Sequence, residues 1–138
     1  MLLQNNQGDN LLANSAYNVT DFQLYSDDKT VKVIQEETDD KIPYLTLYLE
    51  RFKYTEIKRK VEETGDMRKT SEIYTETKAV IKGRTHTFRT EYYTEYSKAN
   101  TEMFGGGSVG IVRIWFNGKL IFDNAVSEQS DLVPFVIE

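Results

Sequence analysis

The stretch "GIVRIWFNGKLIFDN", residues 110–124, constrains this chain more than any other. Asn117-Gly118 between two apolar runs is a strong β-hairpin signal, because the favoured two-residue turn needs positive φ at both positions. With those residues as the loop, Trp115 pairs with Leu120, Arg113 with Phe122, Ile114 with Ile121 and Phe116 with Lys119. One face then holds Val112, Ile114, Phe116 and Ile121, and the other Ile111, Trp115, Leu120 and Phe122, with Arg113 among them. Both faces are apolar. Such a ribbon lies between two layers of its own domain, or packs one face on the core and the other on a second chain.

The rest of the chain also reads as strand. Nine Tyr, seven Phe and only two Pro favour extended structure. "VTDFQLY" and "TVKVIQ" flank a turn-type cluster at Ser26-Asp27-Asp28-Lys29, and Leu45, Leu47 and Leu49 alternate with Tyr44, Thr46 and Tyr48. Residues 55–64 admit two readings. Ile57 and Val61, four apart with Gly65 behind them, allow a short helix, whereas the period of two on either side favours strand.

In 71–96 the plausible reversal is Lys82-Gly83, which sets Ile73 opposite Tyr92, Glu76 opposite Arg89, Thr77 opposite Phe88 and Ala79 opposite His86. The core-side row becomes Ile73, Ala79, Ile81, Phe88, Tyr92 and Tyr96; the wet row carries Glu76, Lys78, Arg89, Glu91 and Glu95. Strands this long often project as arms that meet another subunit. The expectation is an all-β fold, an antiparallel meander or sandwich with long hairpins and at most one short helix at 55–64. A polar N-terminal arm, 1–18, precedes a single β domain, 19–138. Within that domain lie the long hairpin 71–96, a Gly-rich connector 105–108, the apolar hairpin 109–124 and a C-terminal tail 131–138 entered through Pro134.

Charge and chemistry narrow the function. A net charge of −5 argues against nucleic acid, whose binders present a basic face. The chain has no cysteine, no apolar run long enough for a membrane span and no signal-peptide pattern at its start, which points to a cytosolic product. Asn18-Val-Thr20 matches a glycosylation pattern by chance on that reading. His86, the only histidine, falls on the inward row as a half-buried structural residue. A lone histidine without cysteine cannot make the usual zinc site, and the Gly-rich connector leads into a strand where a phosphate cradle needs a helix. No catalytic residue, metal or cofactor is expected, and no enzyme activity.

Gly110, Arg113, Ile114, Trp115, Asn117, Gly118, Lys119, Leu120, Ile121, Phe122 and Asp123 resemble a segment of tail-tip and baseplate-hub proteins of long-tailed bacteriophages. The resemblance implies a structural subunit of a phage particle that associates with itself and with neighbouring particle proteins. It would be made in the host cytoplasm and end in the virion. Its interface would comprise Ile111, Arg113, Ile114, Trp115, Phe116, Leu120 and Phe122, with Arg113 stacked on Phe122 or Trp115. The same letters also resemble the PA14 family of sugar-binding modules, which would make glycan the partner. That family holds calcium between paired acidic residues, for which Asp27-Asp28 and Asp39-Asp40 are the adjacent Asp pairs here.

Overall fold

The computed structural model describes residues 1–26, 29–48, 58–97, 107–125 and 133–137. Its strands are β1 (Leu2–Gln4), β2 (Phe22–Ser26), β3 (Lys29–Val31), β4 (Val33–Glu37), β5 (Pro43–Leu47) and β6 (Lys60–Thr64). They continue with β7 (Met67–Ile81), β8 (Arg84–Ser97), β9 (Gly107–Phe116), β10 (Lys119–Asp123) and β11 (Pro134–Val136). The fold is all-β. Among the described residues the only helical element is a single 3-10 turn at Val19–Asp21, capped by the Asn18 side chain. Residues 60–64 are strand, and 55–57 lie outside the described residues.

One large sheet runs in the order β10-β9-β8-β7-β2-β3, with β6 pairing the far end of β7. The β7–β8 register has the four pairs expected from a Lys82-Gly83 loop, including Glu76 opposite Arg89 and Thr77 opposite Phe88. Lys82 and Gly83 both take positive φ, which is what reverses two long strands in two residues. A bulge between Thr70 and Ile73, with Glu72 at φ 58°, inserts one residue, so that both Thr70 and Ile73 stay buried despite their odd spacing. At Gly110 the partner is Tyr93, and a Cβ there would sit 2.2 Å from the Tyr93 ring. The bare backbone of Gly110 is what lets that ring lie across β9.

A smaller layer covers the inner face. β4 and β5 are antiparallel, β1 and β11 are parallel, and the two pairs are joined where Leu45 N donates to the Met1 carbonyl at 2.9 Å and the Met1 amine donates to the Leu45 carbonyl. Between the layers lie Leu3, Leu24, Leu45, Ile81, Phe88, Ile114, Phe116 and Phe135. Thr75, Thr77 and Thr90 occupy the same inward rows at 0 % exposure, β-branched side chains filling strand positions that larger residues would overfill.

Several expectations change. Residues 1–18 are not a free polar arm, because Leu3, Leu11 and Leu12 are buried in the core and Gln4 pairs with Asn10. The Leu-Leu pairs are the apolar content, and the intervening amides close the turns: Asn5 Oδ1 accepts from Gln7 and Asp9, and Asn10 Oδ1 from Leu12 and Ala13. Of the connector, Gly107 and Ser108 already belong to β9, and 105–106 lie outside the described residues. The tail supplies β11, whose Phe135 is buried against Phe88 and Phe116. Glu91, placed in the wet row, is buried.

Burial of Leu3 leads to a simple expectation. Leu3→Ala lowers unfolding free energy by about 2–5 kcal/mol in urea denaturation, the usual range for a buried leucine. A residue on a free arm changes it by less than about 0.5 kcal/mol.

Candidate functional site

The hairpin turn comes first, because it positions everything around it. Asn117 and Gly118 have φ of 50° and 84°, as the two-residue turn requires. Asn117 does more than turn the chain. Its backbone N–H donates to the Thr87 carbonyl at 2.9 Å, and its Oδ1 accepts from the Thr87 N–H at 2.9 Å. That second bond fixes which end of the amide is oxygen. The Asn117 Nδ2 then faces His86 Nδ1 at 2.8 Å and has to donate, so Nδ1 accepts and the imidazole proton sits on Nε2. The His86 ring stacks on Phe116 with centroids 5.2 Å apart. Burial, then the nearby Arg84 cation, hold its pKa below the ordinary 6.5. The neutral, hydrogen-bonded ring is a structural peg.

Beyond the turn, the hairpin begins in the expected register and then departs from it. Phe116 pairs with Lys119 and Trp115 with Leu120, but a bulge between Leu120 and Phe122 places Phe122 opposite Ile114 and Asp123 opposite Arg113. The extra residue lets both Ile121 and Phe122 pack against the core, which regular pairing would forbid. It also brings Asp123 Oδ2 to 3.5 Å from Arg113 Nε. A second bulge, in β9, sets Ile111 opposite Tyr92 on the core side rather than beside Trp115.

The seven residues expected to form one interface are therefore divided. Ile114 and Phe116 are buried in the core, and Phe122 is half-buried against it. Among the described residues Arg113 stacks on neither Trp115 nor Phe122. It donates to the buried Glu91 carboxylate at 2.7 Å, which, with Asp123, raises its pKa further. The cation that meets Trp115 is Arg89, whose guanidinium lies 4.3 Å from the Tyr74 ring centre and 5.7 Å from that of Trp115. Trp115 is half-buried on the outer face, and Leu120 is exposed beside the seam with β11.

Ile111 ends up in different company. With Val109, Leu47, Tyr48 and Tyr92 it lines a cleft of about 490 Å³ at one end of the sandwich. Tyr48 is 53 %, Val109 50 % and Ile111 37 % exposed there. Sequence reasoning missed Tyr48 and Val109; Tyr48 lies four strands from Val109 in chain order, and only the β5–β1 junction brings them together. Among the described residues no group of three or more His, Asp or Glu converges on a point where a metal ion would sit. Asp39 and Asp40 lie exposed in a turn, and Asp27-Asp28 lie outside the described residues. Among the described residues no helix is long and apolar enough to cross a membrane. No family model, no curated protein and no solved structure matches this chain.

His86 gives the site a pH signature. A folded-state pKa below the unfolded 6.5 means that the unfolded chain binds more protons in that window, so this contribution to stability declines as pH drops below 6.5. Nitrogen-15 NMR is expected to show the Nε2–H tautomer at neutral pH. Arg84→Gln moves the midpoint up towards 6.5 and flattens the slope of denaturation midpoint against pH.

Proposed function

We propose that this protein is a non-enzymatic assembly subunit, of the kind built into a bacteriophage tail or virion, and that it works by self-association. The observation that carries the reading is the cleft edged by Tyr48, Val109 and Ile111, where three large apolar side chains stay exposed around one opening. Scattered exposed apolar residues are ordinary on a folded protein; a contiguous group marks a contact surface.

The chemistry of that group favours a second copy of the chain as the occupant. A two-fold contact sets the same patch against itself, residue i meeting residue j and j meeting i, so a patch without charged side chains brings no like charges together at the axis. The cleft is lined by Met1, Leu47, Tyr48, Tyr92, Val109, Gly110, Ile111 and Ile114, with no charged side chain among them. The alternative surface, the edge of β6, is exposed along its whole length and carries Lys60, Glu62 and Glu63. Lys60 and Glu62 already pair at 2.9 Å, and Glu63 meets Arg68 at 3.6 Å. Charged edges of that sort oppose strand addition. The association surface is therefore the apolar end, with the long β7–β8 hairpin standing beside it. The likeness of 110–124 to tail-tip and baseplate-hub proteins supports a phage particle as the setting, with other particle proteins as further neighbours.

Light scattering during size-exclusion chromatography tests this. The wild-type chain is expected to elute at a multiple of its 16.0 kDa mass, and Val109→Asp with Ile111→Asp to elute as a monomer with unchanged circular dichroism. A wild-type monomer at all accessible concentrations overturns the reading. Mass spectrometry of purified phage particles tests the setting separately.

A further inference from the structure

Asn117 is the only asparagine in the chain that a glycine follows. That dipeptide suits the hairpin turn, and it is also the sequence in which asparagine most readily loses its side-chain amide. The reaction is an attack by the next residue's backbone nitrogen on the asparagine Cγ, and glycine, having no Cβ, obstructs it least. At Gly118 the approach is open, since nothing lies within 4 Å of the place a Cβ would take. Asn117 is itself exposed. Its side chain, however, is held against β8 by both ends of the amide. Oδ1 accepts from the Thr87 N–H at 2.9 Å, and Nδ2 lies 2.8 Å from His86 Nδ1. The Asn117 N–H, donating to the Thr87 carbonyl at 2.9 Å, ties down the backbone of the same residue. The amide cannot keep both contacts while Cγ swings onto the Gly118 nitrogen.

We infer that Asn117 is a spontaneous deamidation site which the fold keeps latched, and that its conversion to a carboxylate makes His86 a charged partner. The chemistry needs only water. The Gly118 nitrogen gives up its proton and bonds to Asn117 Cγ, the Cγ–Nδ2 bond breaks, and Nδ2 takes up a proton and leaves as ammonia. Water then opens the cyclic imide at either carbonyl, leaving aspartate or isoaspartate, so one water enters for each ammonia lost. Aspartate keeps the acceptor for Thr87 and loses the donor for His86. A carboxylate oxygen then faces the lone pair on Nδ1, and the contact survives only when Nδ1 takes up a proton and donates. Ala79 stands opposite His86 on β7 and brings no charge. Arg84 on the same strand and Lys119, the one other charged side chain in the groove beside His86, both oppose that proton. A carboxylate at hydrogen-bond distance outweighs them. Isoaspartate instead adds one backbone atom to the turn, which takes Lys119 and Leu120 out of register with Phe116 and Trp115.

Trypsin releases Asn117 in the peptide 114–119, which holds no other side-chain amide, so mass spectrometry reads its conversion directly. The full-length chain is incubated at neutral pH, folded in buffer and unfolded in guanidinium chloride. Conversion is expected to be slower by about tenfold or more in the folded chain, where two hydrogen bonds have to open first. His86→Phe keeps a ring on Phe116 but offers Nδ2 no acceptor. Checked for folding by circular dichroism, it is expected to convert several-fold faster than the wild type when folded and equally fast when unfolded. Asn117→Asp supplies the product in a turn that accepts Asp-Gly, and nitrogen-15 NMR is expected to show a higher His86 midpoint than in the wild type. Equal rates in folded and unfolded wild type overturn the latch, as does a folded His86→Phe that converts as slowly as the wild type. A His86 midpoint in Asn117→Asp no higher than the wild-type one overturns the pairing. Both substitutions leave Tyr48, Val109 and Ile111 in place, so the result is independent of self-association.

Discussion

Three phenylalanine rings join the two layers of this molecule. Phe88 and Phe116 project from neighbouring strands of the large sheet with centroids 4.9 Å apart, and Phe135 comes from β11 in the small layer to meet them at 5.6 and 5.2 Å, nearly edge-on to both. Edge-to-face contacts of this kind contribute about 0.5–1.5 kcal/mol beyond the area they bury. Their position matters as much as their strength. A three-residue strand such as β11 cannot persist on its own backbone bonds. Phe135 anchors it, β1 pairs with it through Leu3, and β5 is tied to β1 at Leu45. The small layer is held in place from the aromatic cluster outward.

That small layer is also too short for the sheet it covers. Strands of 15 and 14 residues extend about 45–50 Å, while strands of three to five residues reach only about 10–17 Å. The mismatch has two consequences. Far from the cover, the large sheet continues as a β6–β7–β8 arm whose side chains, Thr70 apart, are exposed or half-buried and where Lys69 lies over Tyr93 and Arg68 over Tyr96. At the margin, where the cover stops but the side chains are still apolar, Ile111 and Val109 on β9 remain exposed near Tyr48. The apolar end is thus a product of strand lengths, and a second subunit is what the proposed association supplies in place of a longer layer.

How much of this was legible in the sequence depended on what each feature requires. The Lys82-Gly83 turn fixes a long register by itself, and Ile73–Tyr92 through Ala79–His86 followed from counting outward from it. The Asn117-Gly118 turn was equally clear for the first two pairs, and then the bulge at Ile121 intervened. A bulge arises from tertiary demands, here two apolar side chains needed on the core face and an acidic one needed beside Arg113, and nothing local announces it. The inward threonines were hidden because a threonine counts as polar in any pattern of hydrophobicity. Leu3, Leu11 and Leu12 were hidden for another reason. Pairs of leucines separated by turns have no periodicity to detect, so a chain-terminal layer read as an arm. The candidate interface was half visible. Ile111 was named, but its neighbours Tyr48 and Val109 come together only once β1 lies between β5 and β11.

Hydrogen exchange under native conditions tests the interlayer lock most directly. If Phe135 and its partners couple the two layers into one cooperative unit, the hydrogen-bonded amides of Leu2, Leu45 and Ile137 exchange with the same free energy as those in the middle of β8 and β9, and Phe135→Ala lowers all of them together. Exchange of Leu2, Leu45 and Ile137 through a separate opening of much lower free energy, with β8 and β9 still protected, would contradict it.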